Sequence, residues 1–139
     1  MADTATAARR VLIADDDDDI RRLVEIVLNK AGIAADSVDG GISALQAARS
    51  TSRELVVLDV RMPDMSGLEV CRQLKADEAT ASGHILLMSS NFTTEDVAAG
   101  YAAGADDYLP KPFSPGELVR RVTRLLSGDQ QLHPGPSLR

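Results

Sequence analysis

Two hydrophobic patterns alternate along the chain: short unbroken apolar runs, and longer stripes at helical spacing. Val11–Ala14 is an apolar run of strand length. After the aspartates 15–19, Ile20, Leu23, Val24, Val27, Leu28 and Ala31 recur at the spacing of one helix face. Gly32 follows where a helix end favours glycine. Residues 34–38 predict a weak second strand, because the alternation requires one. Residues 41–49 predict a helix with Leu45 and Ala48 inward. Residues 54–58 predict an almost wholly apolar third strand. Ser66 predicts the N-cap of a helix running to about Ala76. Residues 85–88 predict a fourth strand. Val97, Ala98, Tyr101, Ala102 and Ala105 mark a fourth helix, with Thr93 or Thr94 at its cap. Residues 107–109 predict a fifth strand. Pro115 opens a last helix carrying Leu118, Val119, Val122, Leu125 and Leu126, closed by Gly128.

Five β–α units follow from this reading. Apolar strands without polar alternation imply a parallel sheet covered on both faces. In such a sheet the functional crevice lies beyond the C-terminal strand ends, where the order of strands reverses. Asp15 and Asp16 end the first strand, Asp59 the third, Ser89 and Ser90 the fourth, and Lys111 follows the fifth. If the first and third strands are neighbours, three carboxylates meet there.

Composition narrows the classes. At 139 residues and 44% apolar, the chain fits one domain with a real, aliphatic core. A net charge of −6 without a basic stripe argues against direct binding to nucleic acid or an anionic membrane. A single cysteine, Cys71, excludes an intramolecular disulfide and suits a reducing cytoplasm. No stretch approaches the ~20 apolar residues of a membrane span. Residues 1–9 and 129–139 read as flexible tails around a domain at 10–128.

The aspartate run carries the chemistry. Like charges about 4 Å apart repel by roughly 1 kcal/mol in water and roughly 4 kcal/mol at a surface-like dielectric. Asp17 to Asp19 gain relief at a helix N-terminus. Asp15 and Asp16, at the strand end, do not, and a hard divalent cation would relieve them. Carboxylates to hold magnesium, a hydroxyl and an ammonium to hold an anion, and an aspartate between them suit phosphoryl transfer to a carboxylate.

The segments VLIADDDDDIRRL, LVVLDVRMPDMSGLEV, ILLMSS and GADDYLPKPFSPGEL together resemble the receiver domain of bacterial two-component response regulators over about residues 10–128. The resemblance implies an α/β, flavodoxin-like (βα)5 three-layer sandwich with a parallel sheet in the order 2-1-3-4-5. It implies Asp59 as phosphoacceptor, and Asp15 and Asp16 as the acidic pair that positions Mg2+, with Mn2+ as an alternative. Arg61 would ligate the metal through its backbone carbonyl. Ser89 and Lys111 would contact the phosphoryl group, and Lys111-Pro112 would be a cis peptide. Tyr108 would turn inward when Ser89 is drawn to the phosphate, changing the face made by helix 4, strand 5 and helix 5. The implied donor is a sensor histidine kinase or phosphotransfer protein. The implied output is a downstream partner, a fused domain outside this chain, or a homodimer through that face. Such a protein is a cytoplasmic phosphorelay switch rather than an enzyme, with only slow self-phosphorylation and self-dephosphorylation. Ser89 stands where threonine is more frequent, Ser90 where alanine is usual, and His84 where proline often opens the strand. None removes a required group. Arg61 and Asn91 occupy positions that tune phosphoryl loss.

Other readings remain beside this one. A flavin or nucleotide binder would want a glycine- or hydroxyl-rich loop after the first strand, where this chain has carboxylates. A haloacid-dehalogenase-type phosphatase would want an acid at position 61, which is Arg. A degenerate docking-only receiver would have lost part of the set of Asp15, Asp16, Asp59, Ser89 and Lys111. An EF-hand would want ligands spread through a loop. Cys71 reads as a small core residue, and His84 and His133 lack metal-ligand spacing. Asp107, Glu117 and Arg121 read as solvated charge, with contacts on the helix 4–strand 5–helix 5 face as the alternative.

Overall fold

A computed structural model describes residues 10–127. Its elements, in chain order, are β1 (Val11–Ala14), α1 (Asp18–Lys30), β2 (Ala35–Val38), α2 (Gly41–Ser50), β3 (Leu55–Asp59), α3 (Gly67–Ala76), β4 (His84–Ser89), α4 (Thr94–Ala102), β5 (Asp107–Pro110) and α5 (Pro115–Leu126). All five strands are parallel, in the order β2-β1-β3-β4-β5. The anticipated fold class and strand order are therefore present. The expected tails and the closing Gly128 lie outside the described residues.

Strand period explains why the central strands are apolar at nearly every position. Successive side chains point to opposite faces, and helices cover both. Leu12, Val56, Leu58, Ile85 and Leu87 pack with Leu45, Val70, Cys71 and Leu74 of α2 and α3. Val11, Ile13, Leu55, Val57, Leu86, Met88 and Leu109 pack with Val24 and Leu28 of α1 and Leu118, Val122 and Leu125 of α5. β2 reads weakly because it is an edge strand, half-buried throughout.

The helix starts follow local chemistry. Asp17 caps α1, accepting from the Asp19 and Ile20 N–H groups, and Asp18 and Asp19 fill its first turn. Gly32 follows α1 at φ +82, the left-handed conformation expected of it. Ser66 caps α3, Thr93 forms a capping box with Asp96 at α4, and Ser114 caps α5 ahead of Pro115. Two stripes narrow on folding. Leu23 is 42% exposed and Ala31 is also exposed, because α1 buries the line through Val24 and Leu28. α4 buries only Gly100, leaving Ala98 and Ala102 exposed, and Ala105 lies beyond its end.

Candidate functional site

β1 and β3 are neighbours, with Ala14 beside Leu58. The chain leaves β1 toward β2 and returns to β3 on the other side, so this pair is the point where the strand order reverses. Asp15 is fully buried, Asp59 is 5% exposed, and Asp16 faces solvent. One carboxylate oxygen from each lies within 4.8 Å of the others. Lys111 joins them from beyond β5: its Nζ donates to Asp15 Oδ2 at 3.0 Å and Asp59 Oδ1 at 3.1 Å.

Backbone contacts hold these groups in place. Asp15 Oδ1 accepts from the Asp17 N–H at 2.9 Å, and Arg21 Nη1 donates to the Asp15 carbonyl. The Val60 N–H donates to the Met88 carbonyl, and the Lys111 N–H to that of Ser89. The Lys111–Pro112 peptide is cis, as the resemblance implies. Gly67 opens α3 directly against the end of β3: a Cβ there would stand 2.3 Å from the Asp59 carbonyl oxygen.

The electrostatics follow from three acids and one base in a small space. Burial, then the neighbouring Asp15 charge, pushes the Asp59 carboxyl above its ordinary value, against the pull of Lys111. Burial alone would lower Lys111; its hydrogen bond to Asp15 and the charges of Asp59 and Asp15 raise it instead. One ammonium leaves the group of three acids with excess negative charge. Oxygens around one octahedral Mg2+ lie roughly 3–4 Å apart, given metal–oxygen bonds of about 2.1 Å. Separations of no more than 4.8 Å put the three carboxylates within reach of one ion, and an oxygen-only donor set suits a hard cation.

Ser89, wholly buried, accepts from the Asn91 N–H at 3.0 Å, which leaves its own O–H able to donate. Tyr108 is 5% exposed, and its hydroxyl donates to the Asn91 carbonyl at 2.6 Å. Its ring thus already stands inside, where inward movement was expected on phosphorylation. Arg61 is exposed and lines an open groove of ≈ 570 Å³ beside the site, together with Asp16, Asn91 and Tyr108.

Asp107 corrects the reading of solvated charge. It is buried, and Arg121 bonds it at 2.7 Å, Glu117 at 2.6 Å and the Tyr108 carbonyl at 3.1 Å. Glu117 also bonds Arg120. Three further contributors went unread in the sequence: Gly67, Gly100 and Asp64. Only the last left a signal, since α2 begins at Gly40-Gly41 with no capping side chain of its own.

The family model of the response regulator receiver domain matches residues 11–123. The DNA-binding response regulator MtrA of Mycobacterium tuberculosis is 39% identical over 127 residues, covering 91% of this chain and 54% of MtrA. The BeF3-activated receiver domain of DrrB superposes with a TM-score of 0.76 at 35% identity, covering 84% of this chain and 96% of that one. A Francisella response regulator 1452 receiver domain gives 0.81 at 30% identity, covering 87% and 98%. The chain belongs to the response regulator receiver domain family of two-component systems. It spans about half the length of the curated relatives it matches.

Proposed function

We propose that the chain is a phosphorylation switch in which Asp59 accepts a phosphoryl group, with Mg2+ held by Asp15, Asp16, Asp59 and the Arg61 carbonyl, and Mn2+ as a substitute. The observation that carries this reading is the Lys111 ammonium bridging Asp15 and Asp59 inside a cluster of three carboxylates. An Asp59 oxygen attacks phosphorus as the bond from phosphorus to the donor histidine nitrogen breaks. The leaving imidazole keeps that electron pair and takes up a proton. When bound, the cation neutralises charge on the transferring oxygens. Lys111 then moves from pairing carboxylates to pairing the phosphoryl group, and the Ser89 O–H donates to it.

The donor is a sensor histidine kinase or a phosphotransfer protein, and the chemistry is slow and stoichiometric. The output acts through α4, β5 and α5, toward a partner, a fused domain or a second copy. Asn91 links the two ends, bonding Ser89 through its N–H and Tyr108 through its carbonyl. Drawing Ser89 to the phosphoryl group changes the loop that holds Tyr108, shifting the balance between two arrangements of that face. A cytoplasmic setting belongs to the same reading; among the described residues no helix is long and apolar enough to cross a membrane.

Incubation with acetyl phosphate and Mg2+, followed by intact-mass measurement, tests the assignment. One phosphoryl adduct is expected on the wild type, and none on Asp59→Asn or in the presence of chelator. An adduct that persists equally in Asp59→Asn would falsify the acceptor.

A further inference from the structure

The loop leaving the acceptor is tied to a helix on another part of the sheet. Asp64 Oδ1 accepts from the Gly41 N–H at 2.9 Å, and Oδ2 from the Ile42 N–H at 3.0 Å. These are the first donors of α2, whose own N-cap, Gly40, has no side chain to satisfy them. The cap therefore comes from the β3–α3 connection. Close approach makes this feasible: a Cβ on Gly41 would stand 2.4 Å from the Met65 carbonyl oxygen. The Ile42 and Gly41 donors hold the Asp64 carboxyl below its usual range.

The connection needs such a tie. Its two ends are fixed, by the Val60 N–H on the Met88 carbonyl and the Gly67 N–H on the Val60 carbonyl, each at 2.9 Å. Between them, among the described residues, Arg61 to Met65 make no backbone–backbone hydrogen bond. The Asp64 side chain fastens this stretch to the rest of the domain.

We infer that Asp64 is a positioning residue: by capping α2 from outside, it holds the Arg61–Met65 stretch, and with it the Arg61 carbonyl, at the rim of the carboxylate cluster. The inference rests on the reading that this cluster binds a divalent cation. A residue that only stabilised α2 would be replaceable by a cap supplied from within. Gly40→Ser supplies one: Gly40 has φ −163 and ψ 172, an extended backbone any residue adopts. Its nearest side-chain obstacle is Asp64 itself, 3.0 Å from the added Cβ. Removing Asp64 clears that space.

The experiment measures Mn2+ binding by electron paramagnetic resonance and thermal midpoints without metal, on the full chain. Wild type, Asp64→Ala and Asp64→Ala/Gly40→Ser are compared. Asp64→Ala is expected to lower the midpoint and weaken Mn2+ binding about tenfold, the scale for losing a group that orients a metal ligand. The double variant is expected to regain the midpoint and keep the weak binding. Should the single variant fold poorly, the double variant carries the binding comparison. Wild-type affinity in Asp64→Ala, or recovery of affinity together with the midpoint, would overturn the inference. Absence of Mn2+ binding by the wild type would instead overturn the metal reading, and this inference with it.

Discussion

Gly100 of α4 and Tyr108 of β5 touch so closely that a side chain at position 100 and the ring compete for one volume. A Cβ on Gly100 would stand 2.8 Å from Tyr108 Cδ2, 2.9 Å from Cε2, and 3.1 Å from Leu87 Cδ1. Helix α4 buries glycine where its neighbours bury larger residues, and the space released holds the ring whose hydroxyl reaches Asn91. The inward place of Tyr108 is built by a missing methyl group.

Gly100→Ala should therefore expel the ring. Alanine gains about 1 kcal/mol of helix propensity, while overpacking costs about 1–3 kcal/mol unless the ring moves. The chain has two tyrosines and no tryptophan, so Tyr101→Phe leaves Tyr108 as the sole strong fluorophore. In that background, iodide should quench Tyr108 weakly, and clearly more after Gly100→Ala. Equal quenching would show that the ring keeps its place and the helix moves.

Asp59→Asn should stabilise the metal-free protein by on the order of 1 kcal/mol, because it removes a buried carboxylate charge that burial and Asp15 disfavour more than Lys111 favours it. Burial and Asp15 raise the Asp59 carboxyl above its unfolded value. A raised acid binds its proton more tightly when folded, so its contribution is most favourable below the unfolded value and is lost as pH rises through the folded one. The gap between variant and wild type should thus be present at neutral pH and close as pH falls through the carboxylate range. Urea titrations in chelator across pH would measure it. A variant less stable than the wild type at neutral pH would mean that the Lys111 attraction outweighs repulsion.

Most of the sheet was legible because its strands are buried on both faces, and unbroken runs such as Leu55–Leu58 leave little choice. The carboxylate cluster was legible for a related reason: Asp15 and Asp59 are charged residues attached directly to apolar strands, whereas Ser89 was singled out largely by the likeness to the receiver family. Helix faces were less legible. A stripe allows both Leu23 and Val24 inward, and only the placement of α1 over the sheet decides for Val24. Contacts between remote segments left the weakest trace. Nothing local to Asp64 announces that it caps α2, and nothing local to Asp107 announces Arg121. The fit of Gly67 to Asp59 or of Gly100 to Tyr108 depends on distances that exist only after folding.

Gly67→Ala should be among the most damaging small substitutions. The added methyl would meet the Asp59 carbonyl oxygen at 2.3 Å and the carbonyl carbon and Val60 Cα at 3.0 Å, all backbone that cannot rotate away. The start of α3 or the end of β3 must shift. Overpacking of about 1–3 kcal/mol is the expected scale, and the shift acts on Asp59, the proposed acceptor. A lower urea midpoint together with slower adduct formation is expected at saturating Mg2+. Loss of stability with an unchanged rate would show that β3 holds and α3 yields.

Lys111→Met should separate the ammonium's structural role from its chemical one. Methionine keeps much of the side-chain stem and removes the charge that bridges Asp15 and Asp59. Asp15, fully buried, would keep the Asp17 N–H on Oδ1 and lose Lys111, its ionic partner among the described residues. Leaving a buried charge unpaired costs about 3–5 kcal/mol, so the variant should unfold at lower urea in chelator. Lys111 is raised on folding, so its contribution is fully present below its unfolded value and lost as pH rises through the folded one. The wild-type advantage should hold at neutral pH, shrink in strong alkali as the ammonium loses its proton, and shrink in acid as the carboxylates it bridges gain theirs. Added Mg2+ should narrow the gap, since a cation ligated by the same oxygens supplies the missing charge and stabilises whichever chain binds it. Phosphoryl adduct formation should stay slow even then, because no ammonium remains to pair with the arriving oxygens. Equal stability in chelator would make Lys111 a solvated bystander, and normal adduct formation would remove it from the chemistry.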